Sequence, residues 1–170
     1  MYLDIQSPWD LSPGDSPKDR ARIQERLQQA RQTIRAMLPR LRQVIENAQR
    51  DTEDVYQTLR PYHQHMREIP MTLADLPELE ALCRLILKRG GTGQNAVQEA
   101  LLRLVGATAA PESVPFLLEM WRYTKRGDQF GPDRRQLALW GLARVALFHD
   151  EPQSYAALLK GLDDRRAEVR

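Results

Sequence analysis

Shortages narrow the problem before any motif is considered. The chain of 170 residues has one cysteine, Cys83, so no disulfide can close within it and a reducing compartment is expected. It has three histidines. His63 and His65 stand two apart on a predicted helix and point to different sides, a poor arrangement for sharing a metal; His149 stands alone. No apolar run approaches the roughly 20 residues that cross a bilayer. Met1–Gln6 lacks the basic start and apolar core of a signal peptide, so a cytoplasmic location is expected. Lysine occurs only at positions 18, 88, 125 and 160, against many arginines, a bias that a GC-rich genome produces by itself. A net charge of +2 rules out a polycation. With 42% hydrophobic and 28% charged residues, the chain should fold rather than stay disordered.

Catalytic groupings are equally scarce. The carboxylate pairs Glu78–Glu80, Asp150–Glu151 and Asp163–Asp164 all fall at predicted helix starts or turns, where capping and the helix dipole account for them. Lys88-Arg89-Gly90-Gly91-Thr92-Gly93 lacks the Gly-Lys-Ser/Thr ending of a P-loop and reads as a helix stop. Arg126-Gly127-Asp128 is a coincidental adhesion tripeptide in a chain without a secretion signal. Cys83 falls on an apolar face with Leu82 and Ile86, which marks it for packing rather than reactivity. No nucleophile–base pair stands out. The expectation is a protein without catalytic residues, metal or cofactor.

What is present is helical periodicity. Residues 1–17 carry Ser-Pro and Pro-Gly turn signals and are expected to form a flexible arm, with Trp9 and Leu11 as anchors on the helices behind it. Ser16-Pro17-Lys18-Asp19 opens a helix over 18–50 whose apolar residues Ile23, Leu27, Ala30, Ile34, Met37, Leu41, Val44 and Ala48 alternate spacings of four and three. Pro39 on its outer face predicts a kink or break. A second helix is expected over 52–68, bent at Pro61. Further helices should start at a capping box Asp75–Glu78, near Asn95, at Pro111, at a second box Asp133–Gln136, and at Pro152.

The clearest pattern is an internal repeat. Shifting residues 96–121 by 41 positions places Leu101 on Leu142, Arg103 on Arg144, Pro111 on Pro152, Ser113 on Ser154, and Leu117–Leu118 on Leu158–Leu159, without a gap. Val114 meets Tyr155, Trp121 meets Leu162 and Ala100 meets Gly141, where small residues allow close helix approach. A helix pair recurring at this period marks a solenoid. The tail from Leu162 through Asp163-Asp164 to Val169-Arg170 is similar to the aspartate-rich turn and Val-Arg helix start of HEAT repeats, and residues 95–170 resemble the bacterial HEAT repeats grouped with phycobilisome lyases. Residues 52–93 fit as a more divergent repeat; the arm and first helix have no counterpart. The resemblance implies an all-α fold, a right-handed α-α superhelix with repeats over about 52–93, 95–132 and 133–162 and the start of another at 163–170. It also implies that the chain is part of a longer array, or that a partner covers its open end. Tyr123–Pro132 is long for an inter-repeat turn and reads as an insertion.

Two basic features could face a partner. Between Arg20 and Arg50 eight arginines face two glutamates, a local charge of +6, and Arg22, Arg26, Arg31, Arg35, Arg42 and Arg50 avoid the apolar seam. That outer face is either simply solvated or attractive to phosphates and acidic proteins. The second feature is positional: Arg84, Lys88, Arg122, Lys125, Arg126 and Lys160 sit on or just after the second helices of successive repeats, joined by the insertion aromatics Tyr123 and Phe130. They either complement helix dipoles or form a ridge for an acidic partner. The expected function is a non-enzymatic protein-interaction scaffold, with self-association through the first helix or the open end as one form of it. Nucleic-acid binding along the basic ridge is the alternative. A bilin lyase or chaperone role is implied by the resemblance alone.

Overall fold

The computed structural model describes residues 9–10, 14–47, 69–89, 95–124 and 130–162. Among these every regular element is helical: α1 (Pro17–Asn47), α2 (Leu76–Arg89), α3 (Asn95–Thr108), α4 (Val114–Arg122), α5 (Gly131–His149) and α6 (Pro152–Leu162), with 3-10 turns at Leu73–Asp75 and Pro111–Ser113 leading into α2 and α4. The helix expected over 52–68 and the repeat start at 163–170 lie outside the described residues.

Local chemistry sets the ends. The Ser16 hydroxyl accepts from the Asp19 amide at 3.2 Å, the cap expected at the start of α1. α1 is one continuous helix through Pro39, so the break expected there does not occur. Pro39 is exposed, whereas Met37, Leu38, Leu41 and Ile45 around it are buried and hold both halves against the core. α2 begins at Leu76, directly after Asp75, where a helix start was expected; the 3-10 turn before it has its own cap, the Thr72 amide and hydroxyl both donating to Asp75 Oδ2 at 2.9 and 2.7 Å. α5 likewise starts at Gly131-Pro132, before the expected box at Asp133–Gln136, because proline fits a first helical turn that has no donor to lose. α6 is capped by Glu151, whose carboxylate accepts from the amides of Gln153 and Ser154, at 3.2 and 2.6 Å. Burial pushes this carboxyl up, but the Ser154 and Gln153 bonds outweigh it and the net shift is downward.

α5 is the centre of the packing. It lies against α3, α4 and α6; α3 also contacts α2, and α2 contacts α1. In α3 and α5 almost every residue from Val97 to Ala107 and from Leu137 to Ala146 is buried, as expected of helices covered on all sides. α3 and α5 meet at Gly106 and Gly141: a Cβ added to either would stand 3.0 Å from the other's Cα. The small-residue contact is therefore Gly106–Gly141, and Ala100 is simply buried. Cys83 is fully buried and burial pushes its thiol up, consistent with a packing role.

The 41-residue repeat is visible in the backbone. The two non-glycine residues with positive φ among those described, Ala109 (50°) and Asp150 (46°), are 41 apart and end α3 and α5 in the same left-handed turn. Leu101 and Leu142 are both fully buried, as are Ser113 and Ser154. The helix pairs are not identical, however. α5 and α6 pack closely on each other, whereas α4 packs chiefly on α5 and makes few close approaches to α3.

Candidate interaction surface

The basic face of α1 is turned largely to internal use. Arg31 donates to the Pro70 carbonyl at 2.6 Å. Arg35 grips Asp75 with two bonds of 2.7 and 2.8 Å, and Arg42 grips Glu78 with two of 3.0 and 2.8 Å. Arg26 lies over the Trp9 ring at 5.9 Å. These arginines fasten α1 to the entry of α2 and to the arm. The other members of the face differ: Arg22 is exposed, and Arg50 lies outside the described residues.

The ridge residues separate into three groups. Arg84 on α2 is tied to Glu119 on α4 at 2.7 Å and to Glu80 at 3.4 Å, with Phe116 under its guanidinium at 5.0 Å. The Glu119 carboxylate raises its pKa, and burial raises that of Glu80. Lys88, Arg122 and Lys160 are exposed, the first two within a turn of the Arg84–Glu119 bridge. Lys125 and Arg126 lie outside the described residues. The two aromatics differ. Phe130 is buried in the core at the start of α5, against expectation, whereas Tyr123 is half-buried with the Arg134 guanidinium over its ring at 4.6 Å. Phe130 therefore packs inside, and Tyr123 keeps part of its side chain at the surface.

A different surface emerges at the far end of the fold. Of six exposed large hydrophobic residues among those described, five lie on the last turn of α5 and on α6: Leu147, Phe148, Tyr155, Leu159 and Leu162. The Tyr155 hydroxyl donates to the Ala146 carbonyl at 3.1 Å, which joins the two helices there. The repeat supplies the comparison. Leu118 is 7% exposed and its counterpart Leu159 67%; Trp121 is 9% exposed and its counterpart Leu162 64%; Val114 is 2% exposed and its counterpart Tyr155 45%. α4 is covered by α5, and α6 has no following helix among the described residues. Sequence reading paired these residues and expected an open end after the last repeat, but did not single out Leu147, Phe148, Tyr155, Leu159 and Leu162 as the residues exposed there.

Sequence reading also passed over the buried arginines. Arg103, Arg134 and Arg144 are 6%, 1% and 1% exposed. The signal was there: Arg103, between Leu102 and Leu104, and its repeat equivalent Arg144, between Ala143 and Val145, both stand within apolar runs. Among the described residues no cluster of three or more His, Cys, Asp or Glu side chains could hold a metal, and no helix is long and apolar enough to cross a membrane.

Comparison with known protein families, with curated proteins and with solved structures returns no match.

Proposed function

We propose that this protein is a non-enzymatic scaffold of stacked, HEAT-like helix pairs that docks another protein on the apolar face of α5 and α6. The observation that carries the reading is the contrast between Leu118, Trp121 and Val114, covered, and Leu159, Leu162 and Tyr155, open. Each fully buried leucine-sized side chain contributes about 1.5–3 kcal/mol. A contiguous set left in water is therefore a strong drive toward a complementary apolar surface. The recurrence of the left-handed turn at Ala109 and Asp150, together with the Gly106–Gly141 contact of α3 and α5, supports repeated stacking. Lys160, exposed on α6 itself, would then supply a charged edge that steers an acidic partner. The internal bonds of Arg31, Arg35 and Arg42 remove much of the basic face that a nucleic acid would need.

The test is a paired capture experiment with the wild type and the Leu159→Glu/Leu162→Glu variant, washed across a salt series. A protein captured by the wild type, absent from the variant and retained at high salt is the expected result. Partners held equally by both chains, or capture of nucleic acid whose retention collapses with salt, would overturn the reading.

A further inference from the structure

Arg144 has an unusual enclosure. Its side chain is 1% exposed, with the rings of Trp140 and Phe148 at 5.6 and 5.4 Å from the guanidinium carbon. Nη2 donates to the Ala107 carbonyl at 3.4 Å, and Nη1 and Nη2 donate to the two carboxylate oxygens of Asp10 at 3.1 and 2.9 Å. Asp10 comes from the arm, 134 residues away in sequence. Its neighbour Trp9 packs on the core beneath Arg26.

The repeat explains why an acid from elsewhere meets this arginine. Arg103, 41 residues earlier, receives Glu99 of its own helix at 3.0 Å. The residue 41 positions after Glu99 is Trp140. An indole stacks well on a guanidinium but does not neutralise it. A cation this deeply buried is strongly destabilising without an opposite charge, and planar two-point bonding to a carboxylate is the geometry arginine favours. The pair is also asymmetric: the Asp10 side chain is 24% exposed against 1% for Arg144, and Phe148, one wall of the site, opens to solvent. The carboxylate is therefore the more accessible member of the pair.

We propose that Arg144, flanked by Trp140 and Phe148, holds the aspartate, and Arg26 of α1 the ring, of a short linear segment carrying an aromatic residue followed by aspartate. Trp9–Asp10 is the tethered resident of this site, exchanged for a segment of the same chemistry on another protein. The site adjoins the apolar face through Phe148 but does not depend on it, because the ligand is recognised by charge and by a single aromatic anchor.

The experiment uses the full chain and a fluorescein-labelled peptide of residues 5–14, read by anisotropy. A short tether holds its ligand at an effective concentration in the millimolar range, so the wild type should bind the free peptide at least about tenfold more weakly than an arm variant. Asp10→Asn and, independently, Trp9→Ala should each gain that affinity. The peptide with aspartate changed to asparagine should bind neither. Adding Phe148→Ala to the Asp10→Asn chain should weaken binding again. Equal binding of the acidic and amide peptides, or no gain in either arm variant, overturns the proposal. So does failure of both arm variants to fold in the presence of the acidic peptide, since an exchangeable resident can be replaced by a segment of the same chemistry.

Discussion

Asp75 shows how much one side chain can carry. It is the point where α1, the 69–72 segment and α2 meet: Arg35 donates two bonds to it, and Thr72 donates its amide and hydroxyl. The Arg35 guanidinium pulls its carboxyl down to about 2, against the opposing effect of burial and with help from Thr72. A carboxyl whose pKa is lower in the folded chain stabilises the fold above its unfolded value of about 4, and that stabilisation fades as pH falls through the folded value. Denaturation midpoints of the wild type should therefore drop between about pH 4 and pH 2. Asp75→Asn should be less stable at neutral pH and flatter across that window. Parallel pH profiles for the two chains would show that Asp75 is not the group responsible. Arg35 itself is 45% exposed, so solvent screens the pair and it contributes less than its short distances suggest.

At the scale of helices, the contact of α3 with α5 is the most constrained feature. Alanine ordinarily gains about 0.5–1 kcal/mol over glycine inside a helix. A Cβ at Gly106 would lie 2.6 Å from the Trp140 ring and 3.0 Å from the Gly141 Cα, and Trp140 is held in place by its own burial and by Arg144. Overpacking of this kind costs about 1–3 kcal/mol, enough to reverse the helical gain. Gly106→Ala should therefore lower the chemical denaturation midpoint; an unchanged or higher midpoint would mean that the helices separate easily. This contact marks the limit of what sequence could reveal. Helix content, the Ser16 cap, the start of α6 and the 41-residue register follow from spacing and end chemistry, which are local. Gly106, as a small residue opposite Gly141, is a property of how two helices cross, which no periodicity encodes. The same holds for Phe130. An aromatic next to Gly131-Pro132 looks like an exposed loop residue until the loop end folds inward. The α1 arginines avoid the apolar seam in sequence, yet Arg31, Arg35 and Arg42 flank it and reach around to polar groups on the next element.

For the molecule as a whole, burial is distributed unevenly, and this sets where it should open first. α3 and α5 are enclosed and share their tightest contact, so their amides should exchange only on global unfolding. From Pro17 to Thr33, α1 has no buried residue, and only Ile23, Leu27, Ala30 and Arg31 are half-buried. Among the described residues, this part of the helix is held by its own hydrogen bonds, by Leu27 and Ala30 at the edge of the core, by Arg31 on Pro70, and by the Arg26–Trp9 stack. An isolated helix of this length is marginal in water. Hydrogen exchange followed by mass spectrometry should show residues 17–33 exchanging orders of magnitude faster than 97–107 and 137–146, with 34–47 intermediate. The arm ties two of these regions together, since Trp9 sits under α1 and Asp10 on α5. Trp9→Ala, which removes the stack on Arg26, should therefore speed exchange in 17–33 far more than in the centre of α3. Uniform protection along α1 would mean that its exposed half is stabilised by contacts beyond these, and the division into a fixed centre and a loosely held entrance helix would fall.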